Sequence, residues 1–65
     1  MRLNRKEKHT FLKGVEELNE LAVELIHSVN KPQKNNKDKI IGEIEDVEEW
    51  IAKIKDILSV LNLNE

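Results

Sequence analysis

The sequence predicts an all-α fold, and three observations carry that reading. Apolar residues recur at steps of three and four in both halves of the chain. Glycine and proline number only two and one among 65 residues, too few for the many turns of an all-β domain. A single polar run, Lys31-Pro32-Gln33-Lys34-Asn35-Asn36, divides the two periodic stretches. Two amphipathic helices joined by so short a loop form an antiparallel hairpin.

The pattern divides one domain, residues 1–65, into a basic N-terminal arm or helix over 1–14, a helix over 15–30, a loop over 31–37 and a helix over 38–62. Asn4 followed by Glu7 has the form of an N-cap with its capping-box partner, with Thr10 as a rival start. Phe11, Val15, Leu18, Ala22, Leu25 and Val29 make one stripe, widened by Leu21 and Ile26. Gly14 lies inside that pattern at a cost of about 1 kcal/mol relative to Ala, which fits a close helix contact or a break between two short helices. Pro32 stops the first long helix near Asn30, and Asn36 or Asp38 is placed to cap the next. In the last helix Ile40, Ile44, Val47, Ile51, Ile54, Leu58 and Leu61 alternate steps of four and three, the pattern of a buried seam. One hairpin does not cover both stripes together with Leu21, Trp50 and Ile57. Two hairpins at least are therefore expected to pair as an oligomeric four-helix-type bundle.

Composition narrows the function classes. Without cysteine, neither a disulfide nor a thiolate zinc site is available. The net charge is only −2, yet the signs are segregated: residues 1–14 are basic, 15–29 carry Glu16, Glu17, Glu20 and Glu24 alone, 30–39 turn basic again, and 40–65 are acidic. No apolar run reaches the length that spans a bilayer, and no apolar block follows the basic N-terminus, which points to a soluble cytoplasmic protein. The basic segments lack interleaved aromatic residues and adjoin acidic faces that repel phosphate backbones, which argues against nucleic acid as a partner. Neither a Gly-rich phosphate loop nor a Ser-His-Asp set is present. His9 and His27 point away from the apolar centre of their helix and are poor candidates for ligands or bases, while Trp50 reads as a core or interface anchor.

Glu43 interrupts the apolar pattern. At about 100° per residue it projects between Val47 and Trp50, with Asp46 just beyond, beside Trp50 and Ile57. An ionised carboxylate in such a stripe calls for a cation, a donor network or a wet cleft. On the earlier helix Glu17, Glu20 and Glu24 share one face, Glu17 nearest the apolar border at Leu21. Bringing Glu17 and Glu20 against Glu43 and Asp46 builds an all-oxygen pocket that suits Mg²⁺ or Mn²⁺ better than zinc. Such an ion acts on phosphate oxygens and bound water. The plainer alternative is a solvated acidic face, with Asp46 paired to Lys53 at the surface.

Glu16-Glu17-Leu18-Asn19-Glu20-Leu21, a basic loop and Gly42-Glu43-Ile44-Glu45-Asp46-Val47-Glu48 together resemble the E-E-x-x-E … E-x-x-D signature of the MazG-like, all-α nucleoside triphosphate pyrophosphohydrolases, especially the short phage-borne versions. The resemblance covers roughly residues 15–55. It implies a helical bundle that uses Mg²⁺ to cleave a nucleotide between its α and β phosphates and release pyrophosphate. Glu17, Glu20, Glu43 and Asp46 are then the metal ligands and catalytic groups, with Glu16 as a neighbour in the motif. Lys34, Lys37, Lys39 and Lys53 are assigned to phosphate by charge and placement alone. The expected partners are a nucleoside triphosphate and further copies of the chain, as a dimer or tetramer. Two other readings stay open: a non-catalytic oligomeric helical protein that binds a nucleotide or a protein partner, and an interaction module in which Glu43 fixes register across an interface.

Overall fold

The structure, a computed structural model, describes residues 1–33 and 35–64, with the side chains of 62–64 left aside. Lys34 lies outside the described residues. Two helices, α1 (Arg5–Asn30) and α2 (Lys37–Asn64), pack against each other as an antiparallel hairpin. The hairpin is a rod of 50 × 15 × 15 Å with a radius of gyration of 15.0 Å, where a compact chain of this length measures about 11 Å.

Local chemistry sets both ends of α1. Asn4 Oδ1 accepts from the Glu7 amide at 2.8 Å, and Glu7 Oε1 accepts from the Asn4 amide at 2.8 Å. This capping box satisfies two amides that have no partner within the helix. At the other end the Lys31 amide donates to His27 O at 2.8 Å, and Pro32 drives Lys31 out of helical geometry to φ −131 and ψ 67. Asn35 Oδ1 accepts from the Lys37 amide at 3.2 Å as α2 begins. The Asn36 carbonyl accepts from the Ile40 amide at 3.0 Å, which leaves the Asn36 side chain free for α1.

α1 runs unbroken through Gly14, so of the two roles open to that residue the structure uses close contact. A Cβ there would stand 2.7 Å from Ile54 Cδ1. The two helices meet on this buried glycine.

The surface that α1 turns to α2 is displaced from the stripe the spacing predicts. Gly14, Glu17, Leu21, Glu24 and Ser28 face inward, and Val15, Leu18, Ala22, Leu25 and Val29 lie exposed. On α2 the inward positions are Ile40, Glu43, Val47, Trp50, Ile54, Ile57 and Leu61, all half-buried, whereas Ile44, Ile51 and Leu58 are exposed. The predicted seam thus mixed two faces of α2. Apolar residues at steps of three and four on adjoining faces satisfy a helical period in either orientation, and only the partner helix selects between them. Among the described residues, no apolar side chain is fully buried within the hairpin.

Candidate metal centre

The inward turn of α1 brings Glu17 against α2, and the same turn places Glu20 at the edge of the contact. On α2, Glu43 faces Glu17 and Asp46 lies one turn further, at the rim. One oxygen from each of Glu17, Glu43 and Asp46 lies within 4.8 Å of the other two, and Glu16, Glu17 and Glu20 form a second such trio. Glu17 belongs to both. Glu20 lies near enough to Glu17 and Glu43 alike to raise the pKa of both. The four predicted carboxylates are therefore gathered at one place.

Their environment is short of positive charge. Glu17 is only 9% exposed, and its Oε2 and that of Glu43 are both buried without a hydrogen-bond partner. Desolvation pushes the pKa of both groups up, and the charge of Glu20, its hydrogen bond and the charge of Asp46 push the same way. The opposing cations are few. Lys13 Nζ stands 3.9 Å from Glu17 and 3.5 Å from Glu16, and Lys39 acts on Glu43 through space. A convergent all-oxygen donor set with two orphaned buried oxygens fits a hard divalent cation such as Mg²⁺ or Mn²⁺.

Glu24 has the opposite surroundings. It is 7% exposed, with Lys39 Nζ at 3.1 Å and Asn36 Nδ2 donating to its Oε2 at 3.2 Å. The same Asn36 amide lies 3.2 Å from Glu24 O, and Ser28 Oγ lies 2.9 Å from Asn36 Oδ1. The hydrogen bond from Lys39, then that from Asn36, hold the Glu24 carboxyl below the usual range. The spacing puts Glu24 on one face with Glu17 and Glu20, with a solvated acidic face as the plainer alternative. In the structure it ties the end of α1 to the start of α2, because its partners arrive from across the loop.

The basic residues divide by flank. Lys39 lines an open groove with Asn19, Glu20, Val23, Glu24 and Glu43, beside the carboxylates. Lys53 Nζ stands 4.0 Å from the centroid of the Trp50 ring and 3.5 Å from Glu49, a different partner from the Asp46 of the plainer alternative. Lys37 borders the loop-end cavity with Pro32, Gln33 and Asn35, away from the carboxylates. Lys13, which the spacing did not single out, stands between Glu17 and the Trp50 ring, 5.8 Å from the ring centroid. His9 is exposed, whereas His27 is half-buried with Nδ1 3.8 Å from Glu24. Among the described residues, no helix is long and apolar enough to cross a membrane. No protein-family model, curated protein or solved structure matches the chain.

Proposed function

We propose that this chain is an Mg²⁺- or Mn²⁺-dependent nucleoside triphosphate pyrophosphohydrolase, cytoplasmic and working as a homo-oligomer in which hairpins pair into a four-helix-type bundle. The observation that carries the reading is the pair of buried, unpartnered oxygens on Glu17 and Glu43, set among Glu20 and Asp46. A fold that holds such groups together at neutral pH is best explained by a cation that completes them.

In this reading Glu17, Glu20, Glu43 and Asp46 hold the cation. When bound, the cation withdraws charge from phosphate oxygens and acidifies a coordinated water. Lys39 and Lys53 lie on the same flank and neutralise the polyphosphate, with Lys37 as a more distant contributor; Lys34 is assigned to phosphate by its charge alone. Water oxygen forms the new bond to the α phosphorus, the bond from that phosphorus to the bridging oxygen breaks, and pyrophosphate leaves. Glu20, exposed at the rim and adjacent to two other carboxylates, has the access to take the proton. The test is a panel of ribo- and deoxynucleoside triphosphates with Mg²⁺, assayed for monophosphate and pyrophosphate. Orthophosphate as the only product, or no turnover with any of them, overturns the reading.

A second reading is a non-catalytic oligomeric helical protein that binds a nucleotide or a protein partner, and the exposed apolar side chains of both helices favour it. The same panel separates the two, since that protein melts at higher temperature with ligand and releases no product.

A further inference from the structure

At about 100° per residue, Leu18, Ala22 and Leu25 lie roughly a quarter turn from the direction in which α1 faces α2. Ile44, Ile51 and Leu58 are rotated from the inward face of α2 in the same sense, by a similar angle. Because the helices are antiparallel, equal rotations bring both stripes to one side of the hairpin. The sense is opposite for Glu20, Asp46 and Lys39. The rod therefore has an apolar flank without a charged residue among these six positions and, on its far side, the acidic groove.

We propose that the apolar flank is the docking surface for a second copy of this chain, which packs flank to flank about a two-fold axis and leaves the two acidic grooves open on opposite outer faces. The area supports one committed occupant. The chain exposes 5280 Å², where a compact monomer of 7.6 kDa exposes about 4,300 Å². The excess of about 1,000 Å² is close to the 800 Å² or so that each partner buries in a standard interface. With no apolar side chain buried among the described residues, the hairpin needs a core from outside itself whenever it is folded. A copy of the same chain is always present, and a flank built from both helices matches its own image across a two-fold axis. This deepens the assembly part of the function proposed above and is independent of its catalytic part, since the tests below use neither metal nor nucleotide.

Sedimentation equilibrium of the full chain should give a dimer or an even multiple of it. The double substitution Leu18→Lys with Ile51→Lys should abolish that assembly, and Val23→Lys, off the flank, should leave it intact. Should the double variant fail to fold, single cysteines decide the matter, because the chain has none of its own. Both Ala22 and Ala52 are exposed in the isolated hairpin. Pairing through the flank protects only Ala22, so Ala22→Cys should react with a maleimide at least about tenfold more slowly than Ala52→Cys, an opening cost of one factor of ten in the equilibrium. Equal labelling rates, a folded wild-type monomer, or a monomer captured by phosphatidylglycerol vesicles would each overturn the proposal.

Discussion

Glu17 and Glu24 stand seven residues apart on one helix, both turned toward α2 and almost equally shielded, and their chemistry is opposite. Glu24 receives an ammonium and an amide, and its carboxyl is held below the ordinary range. Glu17 receives other carboxylates and, on Oε1 alone, one lysine at 3.9 Å, and its carboxyl is pushed up, as is that of Glu43 opposite. Burial alone therefore does not distinguish architecture from a site. The identity of the groups that meet the buried oxygens does: a satisfied carboxylate holds the loop end together, and the unsatisfied cluster is the one to which the proposed cation is assigned.

The largest expected effect comes from removing one carboxylate of each kind. Glu24→Leu removes the carboxylate that Lys39 and the Asn36 amide share and should lower the urea midpoint, read as helical dichroism lost at lower urea. Glu43→Leu should raise the midpoint of the metal-free protein while eliminating any response to divalent ions. Destabilisation by both substitutions would break the comparison, because Glu43 would then be architectural too.

Next in size is the response to Mg²⁺ or Mn²⁺. A cation bound only by the folded state should add about 2.7 kcal/mol at about a hundred times its Kd, and a Glu20→Gln, Asp46→Asn double variant should lose the shift. Na⁺ at matched ionic strength giving the same rise in melting temperature would mean that the carboxylates are merely screened.

Acidity separates the two kinds by sign. The raised values of Glu17 and Glu43 mean that their ionisation weakens the fold at neutral pH, a penalty relieved as pH falls through those values toward the ordinary 4.5. Glu24 is held below 4.5, so its contribution is intact above that pH and is lost as pH falls through its lowered value. Metal-free protein should therefore have a higher urea midpoint at about pH 5 than at about pH 7, and lose stability below about pH 4. Saturating Mg²⁺ should reverse the order of the first two, since a bound cation requires ionised ligands.

Smaller still is Asn36→Asp, which keeps a good residue at the start of α2, removes the amide donated to Glu24 and should cost about 1–3 kcal/mol in chemical denaturation. The smallest is Gly42→Ala. Nothing lies within 4 Å of a Cβ built there, so helix propensity alone should add about 0.5–1 kcal/mol, with the metal response unchanged. That variant calibrates what a better helix former beside Glu43 contributes, and Glu43→Leu has to be read against it.

By itself the sequence determined an all-helical hairpin and the end of its first helix near Asn30, while it left the start of α1 between Asn4 and Thr10 and its continuity through Gly14 open. Those features rest on local chemistry: the proline after Lys31 and apolar residues spaced at the period of the helix, while the Asn4 and Glu7 capping box settles the start. It also brought Glu17, Glu20, Glu43 and Asp46 into view, since four acids on two facing helices follow from spacing once the hairpin is drawn. Only the tertiary structure decided which face of each helix turns inward. Two apolar stripes about a quarter turn apart fit the period equally well, and the choice between them was made by non-local contacts. The approach of Gly14 to Ile54 and the reach of Asn36 and Lys39 to Glu24 set the rotation of α1 against α2. That rotation buried Glu24, brought Lys13 to the Trp50 ring, and put Leu18 and Ile51 on the outside. Side-chain partners twelve or more residues apart leave no periodic trace in a sequence, because their meeting depends on where the chain turns and on how its two helices roll against each other.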